Sequence, residues 1–276
     1  MEIKDVLVFL EAGAPCQARL DLTAALAERF GAAVKAVASC PEPSIDFAYD
    51  YVIGPQAVGQ ALAERSAAIT ETLAPTEAAF RAYASVGHGE WDWEAMAPST
   101  PARELALKAR WFDLAILRRP EQSDHFARAL AEIAALASGT ACLFVPEPLA
   151  TEARFERVVL AWNGSREAKR ALDEGLVFLK AAASVAVVMV GEDAGGGEGE
   201  TALLRHLARH DVIAQPHRVG DAHADAGEAL LEASAAFRAD LLVMGAYGHS
   251  KAAELVLGGA TRTVLSKAAL PVLMAH

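Results

Sequence analysis

Short apolar runs recur along the chain, and each is followed by a stretch whose apolar residues return every three or four positions. Strands are expected over residues 6–10 and 34–38, with helical spacing through Leu20, Leu22, Ala25 and Leu26 that ends near Gly31. A long helical pattern starts at Val58 and reaches Ala74 or beyond, with a break expected at Pro75. Later come a strand over 158–162, a helix from Arg166 capped by Ser165, a flexible loop over 191–199, a helix over 201–209 and a strand near 212–218. Residues 241–244 read as a buried strand, Gly258 and Gly259 open a further helix, and Pro271 admits a last strand over 272–274.

The pattern repeats. Residues 5–40 align without gaps on 157–192, which sets Leu20 on Leu172 and Leu26 on Phe178. Further on, ARWFDLAIL matches AFRADLLVM, with Asp113 on Asp240, and ALASGTACLFVP resembles VLSKAALPVLMA. A whole unit is therefore duplicated, and the first copy is longer in its middle, within residues 41–99. The Pro-bearing stretch 146–154 reads as a linker, which gives domains 1–149 and 150–276. Alternating strands and helices imply α/β units, each a doubly wound parallel sheet with its ligand crevice at the strands' carboxyl ends.

Composition narrows the function. A net charge of −11 without a basic patch argues against nucleic acid and anionic membranes as partners. No apolar run is long enough to span a membrane, and the first residues lack the pattern of a secretory signal. Three unrelated cysteines, Cys16, Cys40 and Cys142, fit a cytoplasmic chain with core thiols.

The late glycines carry the candidate chemistry. Strand 241–244 leads into Gly245, Gly248, His249, Gly258 and Gly259 and then a helix, a layout that aims backbone N–H groups and a helix start at an anion. The spacing Gly245-x2-Gly248-x9-Gly258, the AWNGS start, the RADLLVMG approach and the GGATRTVL…PVLM ending resemble the universal stress protein family in its tandem form. The resemblance covers nearly all of 156–276, but only the framework of 1–147. It implies two Rossmann-like domains of adenine nucleotide alpha hydrolase-like type, each five-stranded in the order 3-2-1-4-5 and paired through their last strands. It also implies ATP, with or without Mg, as the ligand. Carried over, Gly245, Gly248 and Gly258 wrap phosphates, Val190 offers backbone to adenine, and Asn163 stands where an acidic residue meets the nucleoside. Met244, His249, Gly259 and Ala260 complete the set.

This chain departs from the family pattern at Gly259, where Ser or Thr would donate a hydroxyl, and at Asn163, which keeps hydrogen bonding without charge. The lost hydroxyl bond is worth about 0.5–1.5 kcal/mol, and Thr261 is a candidate replacement. In the first half, Arg118-Arg119-Pro120-Glu121 replaces the glycine loop and reads as a solvated rim. Glu11 there matches Asn163 and is a candidate ribose acceptor, yet without the loop this half is expected to bind no nucleotide.

Other residues draw structural expectations. Trp91, Trp93 and Trp111 are expected to pack, with Glu90, Asp92 and Glu94 on the polar face of a strand. Asp113 and Asp240 recur in both halves and suggest structure. His206, His210, His217 and His223 read as surface residues, and no metal site or catalytic set is expected. The function that follows is a cytoplasmic stress sensor binding an adenine nucleotide in its second domain, with an intrachain pseudo-dimer and further homodimerisation open. The alternatives are an interaction module without nucleotide, a binder of another ligand through the first domain, and a slow ATPase.

Overall fold

The computed structural model describes residues 2–40, 55–98, 100–149, 154–191, 198–220, 225–247 and 259–276, without the side chains of 55–58 and 61. The chain runs β1 (Asp5–Glu11), α1 (Gln17–Phe30), β2 (Ala33–Ser39), α2 (Pro55–Val86), β3 (Trp91–Ala95), α3 (Ala102–Lys108), β4 (Leu114–Arg118), α4 (His125–Ala137) and β5 (Ala141–Val145). It repeats as β6 (Arg157–Ala161), α5 (Arg166–Ala181), β7 (Ser184–Val190), α6 (Glu198–Arg209), β8 (Ala214–Val219), α7 (Ala226–Phe237), β9 (Leu241–Gly245), α8 (Gly259–Lys267) and β10 (Val272–Ala275).

All ten strands form one sheet in the order β3-β2-β1-β4-β5-β10-β9-β6-β7-β8. Each half has the order 3-2-1-4-5 and is parallel throughout. The halves join where β5 and β10 pair antiparallel, with Leu273 opposite Leu143. The apolar strands are covered on both faces, as their near-continuous hydrophobicity requires. Val6, Val8 and Leu10 enter one core beneath α1, α2, α5 and α6, while Leu7 and Phe9 enter the other beneath α3, α4, α7 and α8.

The repeated aspartates do the same work twice. Asp113 accepts from the N–H groups of Lys4 and Asp5 at 2.7 and 3.0 Å, and Asp240 accepts from Glu156 and Arg157 at 2.8 and 2.9 Å. Each pins the entry of the first strand of its half to the entry of the fourth.

Two expectations fail. Helix α2 continues through Pro75, although an interior proline disfavours a helix by about 3 kcal/mol. The flanking residues hold it, since Leu73, Thr76 and Phe80 are all buried. Trp91 and Trp93 pack on Phe80, their rings 5.4 and 5.6 Å from it, but Trp111 is 83% exposed. Trp111 ends a short 3-10 turn, Ala109–Trp111, in which Ala109 takes the buried position. On β3 the polar face holds: Lys35 of β2 pairs with Asp92 and Glu94 at 3.0 and 3.1 Å.

Candidate nucleotide crevice

In each half the chain reverses direction across the sheet at its first strand, so the loops after the first and fourth strands share one crevice. In the second half these follow β6 and β9. After β6, Asn163 Oδ1 accepts from Ser165 N–H at 3.1 Å, Gly164 takes a φ of 73°, and Ser165 Oγ caps α5 by accepting from Ala168 N–H at 3.1 Å. Asn163 itself is exposed at the mouth.

After β9 the chain is held at both ends of the glycine segment. Ala246 N–H donates to Ala275 O at 2.9 Å, and Tyr247, at a φ of 59°, donates its N–H to Thr261 Oγ1 of α8 at 3.1 Å. Tyr247 therefore lies against the first turn of α8. Among the described residues, a Cβ on Gly259 would meet nothing within 4 Å. The first N–H groups of α8 have no partners within the helix and suit an anion. Helix α7 braces that start: Asp225 accepts from Gly227 N–H at 2.7 Å and from the Thr263 hydroxyl. Lys267 meets Glu228 at 2.5 Å. The Thr263 hydroxyl, followed by the N–H groups of Gly227 and Glu228, holds the Asp225 carboxyl below its usual value.

The sequence model of the Universal stress protein family matches residues 154–276. A universal stress protein from Archaeoglobus fulgidus is similar over 98% of this chain and 95% of its own, at 13% identity and a TM-score of 0.70. A functionally unknown protein from Pseudomonas aeruginosa aligns over 99% and 92% at 11% identity and a TM-score of 0.61. A putative universal stress protein of the same species aligns over 99% and 93% at 11% identity and a TM-score of 0.58. At these identities the likeness is one of fold, and it runs through both halves of the sheet. A search of curated proteins finds no match.

Within residues 154–276, Asn163 follows β6, Gly245 ends β9, Gly259 and Ala260 open α8, and Val190 ends β7 half-buried. Met244 is 4% exposed, so its side chain serves the core. Gly248, His249, Lys251 and Gly258 lie outside the described residues, as does His223. Gly245 has a packing reason of its own. A Cβ there would lie 2.5 Å from the carbonyl carbon of Glu167 and 2.6 Å from the nitrogen of Ala168, so this glycine lets α5 approach the end of β9. Thr261 does not serve as the substitute hydroxyl: it is 3% exposed and its oxygen takes the Tyr247 N–H. His206 departs from a plain surface residue. It is half-buried, its ring lies 4.8 Å from that of His210, and its Nε2 is buried without a partner. His217 is exposed as expected. No cluster of three metal-ligating side chains occurs among the described residues, and no helix there is long and apolar enough to cross a membrane.

The equivalent place in the first half is filled by its own side chains. Arg19 of α1 is fully buried. Its Nη1 donates to Glu11 at 2.7 Å and to Phe9 O at 2.5 Å, its Nη2 to Pro15 O at 2.7 Å, and its Nε to Glu147 at 3.0 Å. Burial opposes the charge on Arg19, but Glu11 and Glu147 outweigh it and raise the pKa. Arg118 lies 3.8 Å from Glu11 and also pairs with Asp124, the cap of α4. Glu11 is thus committed to arginines, and the ribose role expected of it does not hold. Nor are Arg118 and Arg119 a solvated rim. Arg118 is 8% exposed, and Arg119 is half-buried with Nη1 on Ser266 O at 2.6 Å. Sequence reasoning missed Arg19. Its one signal is an arginine aligned on Ala171, a fully buried alanine of α5.

Proposed function

We propose that the chain binds an adenine nucleotide, ATP by the family resemblance, in the crevice between β6 and β9, and serves as a stress-response sensor. One observation carries this reading: Tyr247 N–H donates to Thr261 Oγ1 at 3.1 Å, which sets the exit of β9 against the first turn of α8. In this reading the first main-chain N–H groups of α8 meet a polyphosphate, beside an Asn163 amide able to meet the ribose. The division into units 1–149 and 150–276 belongs to the same reading, the first unit being a partner whose own crevice is closed by Arg19.

Equilibrium dialysis of the full chain against ATP tests it. Binding is expected in the parent protein and lost in Gly248→Val. A second reading, an interaction module that takes no nucleotide, is favoured by the packing role of Gly245 and the missing hydroxyl at Gly259. It predicts no binding in either protein. Phosphate release above background that disappears in Gly248→Val would add slow hydrolysis to the first reading.

A further inference from the structure

Arg128 and Glu132 stand one turn apart on α4, and Arg262, Leu265 and Ser266 lie along α8. Together with Glu121 they line a cavity of about 250 Å³ on the seam between the halves. The cavity exists because antiparallel pairing of β5 with β10 brings the helices preceding those strands onto the same face of one sheet. Beside it Arg119 ties the halves together through Ser266 O, while its own Nε is buried and lacks a partner.

The charges here are not spent on one another. Among the described residues neither Arg128 nor Arg262 has an ion-pair partner. Glu121 lies 4.0 Å from Arg118. Tyr247 faces the same group: burial first, then Glu132, push its hydroxyl above the usual value, and Arg262 and Arg128 act against them. Two unpaired guanidinium groups from different helices form a clamp suited to a carboxylate or phosphate. Glu132, which lines the same cavity, supplies an acceptor for a donor on the same ligand. The volume falls below the roughly 300–1,000 Å³ of sites for drug-sized ligands, which restricts the occupant to a small molecule.

We propose that the seam cavity binds a small organic oxyanion, carboxylate or phosphate monoester, through Arg128 and Arg262, with the ligand's ammonium or hydroxyl group held by Glu132. The site is separate from the nucleotide crevice and does not rest on that reading. It needs both halves, since each contributes one arginine.

Calorimetric titration of the full chain with O-phospho-L-serine, L-glutamate and inorganic phosphate tests the proposal. At least one of the two amino acids is expected to bind with a Kd below ~1 mM and more tightly than inorganic phosphate. Arg128→Ala and Arg262→Ala should each weaken it about tenfold or more. Arg128→Lys, which keeps the charge without the fork, should also weaken it, and thermal melts of the variants check that they fold. Glu132→Gln should remove the preference over inorganic phosphate, while Gly248→Val should leave binding unchanged. Preference for phosphoserine identifies a phosphate monoester as the ligand class, and preference for glutamate a carboxylate. The proposal is overturned if no probe binds at ~10 mM, if inorganic phosphate binds as tightly, if binding survives both alanine substitutions, or if it is lost in Gly248→Val.

Discussion

Arg19 donates a 2.7 Å hydrogen bond to Glu11 from within the core, in the half of the molecule that lacks a glycine loop. Glu11 matches Asn163 in the alignment, so the same position at the end of a first strand closes one crevice and borders the other. Removing Arg19 leaves Glu11 and Glu147 without their buried partner. Arg19→Ala should lower stability by about 3–5 kcal/mol in denaturant unfolding. It should not create a nucleotide site, because Arg118, Arg119 and Pro120 still stand where glycines would be needed.

The glycines around the second crevice should separate by role. Gly245→Ala places a Cβ 2.5 Å from the backbone of Glu167, and overpacking of this kind costs about 1–3 kcal/mol. Gly259→Ser meets nothing within 4 Å and restores a hydroxyl at the start of α8. It should leave the melting temperature unchanged and tighten ATP binding about two- to tenfold, read by calorimetry.

The aspartates at the strand entries should be equivalent. Asp113→Ala and Asp240→Ala each remove an acceptor for two main-chain N–H groups. Each should cost about 1–3 kcal/mol in chemical denaturation. A large cost at Asp240 with none at Asp113 would break the equivalence and point to a role peculiar to the second crevice.

The brace between α7 and α8 should titrate. Hydrogen bonds from Thr263 and from the N–H groups of Gly227 and Glu228 lower the pKa of Asp225 beneath 3.8, so the folded state holds that proton less tightly than the unfolded chain does. The stabilisation is therefore complete above about pH 3.8 and is lost as pH falls through the lower folded value. At neutral pH, Asp225→Ala should cost about 0.5–2 kcal/mol through loss of the helix cap. Melts from pH 7 to pH 3 should show the gap between parent and variant narrowing at the acid end.

Much of this architecture was legible in the sequence. The duplication, the alternation of strand and helix and the shared Asp113 and Asp240 led to two similar sheets, and the resemblance added their order and their joining through the last strands. The glycine turns at Gly31 and Gly164 and the cap at Ser165 follow from local chemistry that does not depend on the rest of the fold. What could not be read depends on distant partners. Arg19 is held by Glu147, 128 positions away, so its burial gave no local sign. Pro75 stays helical because Leu73 and Phe80 find a core formed by other elements, a tertiary gain that overrides local preference. The seam cavity needs α4 and α8 side by side, which only the antiparallel joint supplies. Sequence set Gly245 and Gly259 apart by motif position, but only the approach of α5 shows that a Cβ is excluded at the first and meets nothing at the second.

The central claim is that one crevice of the pair is built for nucleotide and the other is closed. The most direct measurement is the stoichiometry of ATP bound to the full chain by calorimetry. One nucleotide per chain, abolished by Gly248→Val and untouched by Glu11→Gln, is the predicted result. No bound nucleotide, or binding that persists in Gly248→Val and falls in Glu11→Gln, would contradict it.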